Sequence, residues 1–203
     1  TDDANIYLNV SEGFRSGGFN GPGVIRAGAS KSFGPEEVLS YELGAKASWL
    51  NNSLNTEAAI YFSDYTEYQG STFDPIALRS VFDNFGDAEV KGIEWNLQWR
   101  TAINLTLGFS GNITEAEYTA LLPGVSVVNI GDELDNIPKY NYSITTGYSF
   151  NWVNSVPGYI HLDYNKQSSN SVTDRNQGII WRTDPLTFLN AHIGVQWEFL
   201  SIE

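Results

Sequence analysis

The sequence predicts an all-β chain: the wall of an antiparallel transmembrane up-and-down β-barrel, built from about eight long strands. Three observations lead there. Apolar and polar side chains alternate along most of the 203 residues. The links between the alternating runs are short and long in strict turn. Four of the six tryptophans fall where the runs reach short links.

The alternation is clearest at residues 92–100, where Ile93, Trp95, Leu97 and Trp99 share one face and Gly92, Glu94, Asn96, Gln98 and Arg100 the other. Period two with one apolar face is the mark of a strand. Ile6, Leu8 and Val10 begin the series. Leu39, Tyr41, Leu43, Ala45, Ala47 and Trp49 follow, then Leu54, Ala58, Ile60 and Phe62. Beyond residue 100 come runs on Ile103, Leu105, Leu107 and Phe109, on Tyr140, Tyr142, Ile144, Tyr148 and Phe150, on Ile160, Leu162 and Tyr164, and on Leu189, Ala191, Ile193, Val195, Trp197 and Phe199. Most runs last about 10–15 residues, twice the usual strand and enough for the roughly 9–11 residues that cross a bilayer.

The short links are 51–53, 101–102 and 154–158; the long ones are 15–37, 70–86, 115–137 and 168–186. Outer-membrane barrels sort their connections this way, with short periplasmic turns and long extracellular loops. Trp49, Trp99, Trp152 and Trp197 each end a strand on the short-link side, the place for an interfacial aromatic girdle. Tyr65, Tyr68, Tyr118 and Tyr140 lie toward the long loops and are candidates for the opposite girdle. Lipid offers the backbone no hydrogen bonds, so such a sheet has to pair every strand and close. The polar faces carry Gly44, Gly92, Gly108 and Gly147 among Ser, Asn, Glu and Lys, a thinly filled wall that suits a wide lumen.

Composition removes other classes. No cysteine is present, which excludes disulfides, iron–sulfur clusters and thiol catalysis. A net charge of −13 excludes a general nucleic-acid binder. No apolar run reaches the roughly 18–20 residues of a membrane helix, and a barrel keeps mean hydropathy low because only alternate residues meet lipid. Methionine is absent even at position 1, as expected of a processed product or a piece of a longer chain.

Several segments resemble the TonB-dependent outer-membrane receptors: residues 11–20 (SEGFRSGGFN), 33–46 (FGPEEVLSYELGAK), 58–65 (AAIYFSDY), 84–94 (NFGDAEVKGIE), 131–138 (GDELDNIP) and 188–194 (FLNAHIG). They keep the family's order over nearly the whole chain. The resemblance implies a 22-stranded barrel around an N-terminal plug domain in the outer membrane of a Gram-negative bacterium. It implies import of a scarce nutrient, most often a ferric siderophore or other metal complex. It also implies energy from a TonB-type coupling protein that pulls on the plug. Residues 1–203 match a partial barrel, about a third of it, and no plug is found in this chain. Two rival readings stay open: a complete small outer-membrane barrel serving as enzyme or adhesin, and a soluble ligand-binding β-sandwich.

Within the main reading, Arg15, Arg26 and Arg79 on the long loops suit anionic ligands. Phe19, Tyr68, Phe73 and Trp181 can stack on a ligand ring. The plainer alternative is that each only shapes its loop. Glu42, Lys46, Glu57, Glu94, Gln98 and Arg100 line the polar wall near the short turns, where the resemblance puts the plug. His161, Asp163 and His192 share the polar face and read as lining residues. Asp132, Glu133 and Asp135, like Asp83, Asp87 and Glu89, read as solvated loop carboxylates. No catalytic motif, resident metal or cofactor is expected.

Overall fold

A computed structural model describes residues 3–22, 31–74, 78–126, 128–152, 156–174, 179–197 and 200–202. The strands are β1 (Ala4–Arg15), β2 (Gly18–Phe19), β3 (Ser32–Phe33), β4 (Glu36–Trp49), β5 (Leu54–Asp74), β6 (Arg79–Arg100) and β7 (Leu105–Leu121). They continue with β8 (Tyr140–Asn151), β9 (Pro157–Gln167), β10 (Ser171–Asp174), β11 (Ile179–Arg182), β12 (Leu186–Trp197) and β13 (Leu200–Ile202). Eight long strands and the short β13 form one antiparallel sheet in the order β1-β4-β5-β6-β7-β8-β9-β12-β13; β2-β3 and β10-β11 are separate hairpins within long connections. Among the described residues no helix is long and apolar enough to cross a membrane.

Short links leave β4–β5, β6–β7 and β8–β9 to pair as antiparallel neighbours, the long connections return to β1–β4, β7–β8 and β9–β12 pairs, and the apolar period sets the register. Ile60, Ile93 and Ile113 meet in one row across β5, β6 and β7. Among the described residues nothing forms a second layer over this apolar surface. Leu8, Leu43, Ile60, Ile93 and Ile113 all remain exposed, Ile93 to 48%. Trp99 is exposed on the same face, while Trp95 packs its ring against Phe109 at 5.5 Å. A sandwich would bury these side chains between sheets, so the β-sandwich alternative fails on this row.

The opposite, polar face is better filled than its glycines suggest. The Tyr7 ring covers Gly44, and Tyr61 covers Gly92. The Tyr61 hydroxyl is 2.7 Å from Thr114 Oγ1, which also accepts from Asn112 Nδ2 at 2.8 Å. The wall is therefore knitted by side chains that reach across a glycine from one strand to the next but one.

Two connections differ from the expected loops. Residues 70–86 are mostly strand: β5 and β6 run on together through Ser71↔Phe82 and Phe73↔Ser80, and only residues 75–78 separate them. Bulges between Tyr65 and Gln69 shift the phase of side-chain alternation there, which hides the hairpin from a period-two reading. Likewise β7 continues to Leu121 inside the expected loop 115–137. Ile103 belongs to the turn before β7 and not to the strand; Asn104 there has φ 58°.

Among the described residues a compact apolar core lies at the long-connection end. Phe85, Ala88, Ala116, Tyr118, Val128 and Leu134 bury one another, with Tyr65 and Tyr68 packed alongside. Segment 131–139 runs beside β7 where β8 has ended: Gly131 N donates to Tyr118 O at 2.8 Å and Leu134 N to Ala116 O at 3.0 Å. Tyr118, expected at a lipid interface, is 1% exposed in this core, and Tyr65 and Tyr68 pack with it. Of the four tyrosines only Tyr140 keeps the outer position, stacked on Tyr142 at 6.2 Å.

Candidate functional site

The long-connection end carries most of the candidate ligand residues. Arg15 closes β1 with its side chain largely exposed, and its Nη1 lies 3.5 Å from the buried carboxylate of Glu36. Phe19, in the β2–β3 hairpin, is 85% exposed. Trp181 sits on β11 opposite Val172 and is 62% exposed. Tyr68 is half-buried instead, edge-on to Tyr65 and Tyr118 at 5.8 Å each, and its ring is committed to packing. Burial, aided by the Glu36 charge, raises the Tyr68 pKa above its ordinary value. Phe73 and Arg79 fall in the β5–β6 hairpin with their side chains outside the described residues; Arg26 lies wholly outside them.

Four residues that the sequence reading missed tie these segments together. Asn20, Glu36, Gln69 and Asn84 are each at most 8% exposed. Gln69 N donates to Glu36 Oε2 at 2.7 Å, and Gln69 Nε2 donates to Gly34 O at 2.9 Å and Ser16 O at 3.1 Å. Asn84 Oδ1 accepts from Gly34 N at 2.6 Å, and Asn84 Nδ2 donates to Glu67 O at 2.6 Å. Asn20 exchanges two bonds with the backbone of Phe82, at 2.9 and 3.0 Å. The rings of Phe33 and Phe82 meet at 5.7 Å beside this knot. Asn84 and Glu36 stand inside the resemblance segments, but burial of a loop amide leaves no sequence signal.

A second knot joins the other two connections. Lys139 Nζ is 2.6 Å from Glu133 Oε1; Glu133 Oε2 accepts from Ser171 Oγ at 3.0 Å and lies 3.6 Å from Arg182 Nη1. Asp135 Oδ1 accepts from Thr173 N at 2.9 Å, and Asn136 N donates to Ser171 O at 3.0 Å. These loop carboxylates, expected to be solvated, instead latch the β10–β11 hairpin onto segment 131–139. Asp132 Oδ2 holds the Asn129 amide at 2.7 Å, and Asp87 Oδ1 accepts from Glu67 N at 3.1 Å.

On the polar wall, Lys46 and Glu57 are directly opposed across β4 and β5 and form an ion pair. Glu57 and Glu94 line a hollow of about 830 Å³ with Tyr7, Asn96, Asn112 and Asn141. Gln98 lies beside Lys46 in an adjoining hollow, and Arg100 ends β6 at the short-link side. Glu42 is on the same face, opposite Tyr61. His161 faces His192 across β9 and β12, ring centroids 6.5 Å apart, and its Nε2 is 3.0 Å from Asp163 Oδ1. Among the described residues no three imidazole or carboxylate groups converge as a metal site. At the short-link end of the apolar face, Trp49 and Trp99 share a row with Leu54, and Trp152 stands exposed beside Phe150. The Trp197 side chain lies outside the described residues.

The family description "TonB dependent receptor-like, beta-barrel" matches residues 1–202. The chain belongs to the TonB-dependent receptor barrels. The pesticin receptor of Yersinia pestis is 28% identical over 144 residues, 69% of this chain and 20% of that protein. The probable TonB-dependent siderophore receptor PiuA of Acinetobacter baumannii is 25% identical over 163 residues, 73% of this chain and 21% of the relative. This chain thus spans about a fifth of the length of the curated relatives it matches. The ferric yersiniabactin uptake receptor FyuA from Yersinia pestis superposes with a TM-score of 0.72 at 20% identity, covering 97% of this chain and 28% of that one. BauA, the ferric preacinetobactin receptor of Acinetobacter baumannii, superposes at 0.67 with 18% identity, over 98% of this chain and 28% of that one. These superpositions establish the barrel-wall fold. TonB-dependent receptors are outer-membrane proteins of Gram-negative bacteria, and this chain shares that location. The family is one of transport receptors and not of enzymes. The exposed apolar face is accordingly the lipid face, and the polar wall faces the lumen.

Proposed function

We propose that the protein containing this chain imports a ferric siderophore or a comparable metal complex across the outer membrane, driven by a TonB-type protein. The observation that carries the reading is the match of residues 1–202 to the receptor barrel, joined to solved structures whose own cargo is ferric. In this proposal the sheet is part of a 22-stranded barrel. Arg15, Phe19 and Trp181 on the outer connections meet the cargo, with Arg26, Phe73 and Arg79 as further candidates. A guanidinium is suited to the carboxylates and catecholates that bind iron, because its charge does not titrate and its donors are forked. Glu42, Lys46, Glu57, Glu94, Gln98 and Arg100 hold the plug domain by hydrogen bonds and ion pairs. Trp49, Trp99, Trp152 and Trp197 sit at the periplasmic lipid interface.

Uptake by iron-starved cells tests this. Cells carrying the full-length receptor should accumulate radiolabelled iron from at least one of ferric citrate, a ferric tris-catecholate and a ferric tris-hydroxamate. Accumulation should stop when the proton gradient is collapsed or the coupling protein deleted. Uptake that survives both treatments would count against active import and favour a passive pore.

A further inference from the structure

We infer that Glu36, Gln69 and Asn84 are positioning residues for capture: they hold the two ends of the first long connection, at residues 15–16 and 34–36, in place before cargo arrives and aim the guanidinium of Arg15. This rests on the import reading and adds to it which residues prepare the site.

The argument starts from what the three side chains replace. Residues 16–22 and 31–35 contain one short hairpin of two residue pairs, Gly18↔Phe33 and Phe19↔Ser32. Two pairs cannot order a connection of that length, because a hairpin alone is marginal even with longer strands. The order is supplied from outside, by the projecting part of β5 and β6. Gly34 O accepts from Gln69 Nε2 at 2.9 Å and from Asn84 Nδ2 at 3.3 Å, while Gly34 N donates to Asn84 Oδ1 at 2.6 Å. One residue of the connection is thereby gripped through both backbone groups by two side chains from adjacent strands. Gln69 also reaches Arg15 O and Ser16 O, at 3.4 and 3.1 Å, and so fixes the backbone that carries Arg15.

Glu36 completes the device. It is 5% exposed, and a buried carboxylate needs partners. It finds them in Gln69 N at 2.7 Å and Arg15 Nη1 at 3.5 Å. The Arg15 side chain is 61% exposed while its carboxylate partner is 6% exposed. The cation is thus anchored from below and open from above, where an anionic ligand can approach. A site that is ordered only part of the time binds more weakly by that fraction. Ordering the loop and pointing its cation in advance raises affinity through the association step.

The test compares full-length receptor in detergent with variants Gln69→Ala, Asn84→Ala, Asn20→Ala and Glu36→Gln. Amide exchange is followed at Asn20, Gly34 and Gln69, and in the β8–β9 strands as a control. Binding is measured with ferric citrate, a ferric tris-catecholate and a ferric tris-hydroxamate. Loss of Asn84 or Gln69 should speed exchange at Gly34 tenfold or more and leave β8–β9 unchanged. Affinity for the probe that the wild type binds should fall about tenfold, mainly in the association rate. Asn20→Ala removes the tie to Phe82; it gives a milder version of the same pattern if Asn84→Ala fails to fold. Glu36→Gln keeps an acceptor for Gln69 N and should preserve loop protection while lowering affinity, because Arg15 loses its anchor. Unchanged exchange at Gly34 in all variants would overturn the clamp. Faster exchange with affinity within twofold of wild type would overturn the positioning role and leave import standing. A wild-type receptor that binds none of the probes would sink the import reading and the capture role with it, while exchange still decides whether the clamp exists.

Discussion

Among the described glycines, Gly86 is the least open to substitution. Its φ is 140°, outside what L side chains normally adopt, and a Cβ there would overlap Ala120 O and Leu121 Cα on β7. The clash is with backbone, which cannot swing aside. Gly86→Ala should therefore cost about 2 kcal/mol or more, read as a lower denaturation midpoint of the folded receptor in micelles. Gly124, also at positive φ but with open space around its Cβ position, should tolerate alanine better. Glu133 behaves differently because its role is electrostatic. The Lys139 ammonium beside it holds its carboxyl below the ordinary range, against a smaller opposing pull from burial, and Ser171 adds to the lowering. A carboxyl whose folded pKa is depressed stabilises the latch above its ordinary value, near 4.5, and loses that contribution as pH falls through the lowered value. The protection of amides in residues 171–174 and 179–182, relative to the unfolded chain at the same pH, should be high at pH 7 and fall once the pH drops below the ordinary carboxyl value and through the lowered one. Glu133→Gln should exchange faster at pH 7 and respond less to acid; a variant with the wild-type pH response would remove Glu133 from the latch.

At the scale of elements, the outer connections are packed structures rather than free loops. Segment 128–137 is pinned by Leu134, 1% exposed against Ala116 and Tyr118. Leu134→Ala should cost about 2–5 kcal/mol of local stability. Exchange across 128–137 should rise while β8 and β9 stay protected, since neither strand packs on that core. The same elements explain how far the sequence could be read. Where a strand crosses lipid, one face must be apolar, so Ile93 to Trp99 announce both strand and orientation. Above the membrane both faces meet water, and that constraint vanishes. Glu115 and Glu117 then occupy outward positions on β7, held by Lys91 at 3.8 and 3.7 Å, and the strand continues without an apolar period. Gly70 and Gly86 bound the expected loop 70–86, yet both lie inside paired strand. Of the candidate ligand residues, Arg15, Phe19 and Trp181 have exposed side chains on or beside connections, whereas Tyr68 is packed. The amides that hold the first connection were not legible in the sequence, because Gln69 and Asn84 meet Gly34 only after segments 35 and 50 positions apart have folded together.

For the whole molecule the decisive property is which side meets lipid. The row Ile60–Ile93–Ile113 and its neighbours toward the short links form a mainly apolar surface, and the polar side one residue away holds Glu94, Asn96 and Asn112. Neighbouring positions on one strand therefore face opposite solvents, and a charge should be penalised on one and not the other. Ile93 lies about midway between Trp99, at the short-link end, and the buried Ala88 at the other. An arginine near the bilayer midplane costs about 2–4 kcal/mol on a lipid-facing strand position and much less toward a lumen. Ile93→Arg should lower the folding free energy measured in lipid vesicles by that amount, whereas Asn96→Arg should change it by less than about 1 kcal/mol. The contrast depends on lipid and not on local propensity, so it should shrink in short-chain detergent, where the belt is thinner and better hydrated. Equal costs at the two positions in vesicles would mean that the surface bearing Ile93 and Trp99 is not the one in contact with the bilayer.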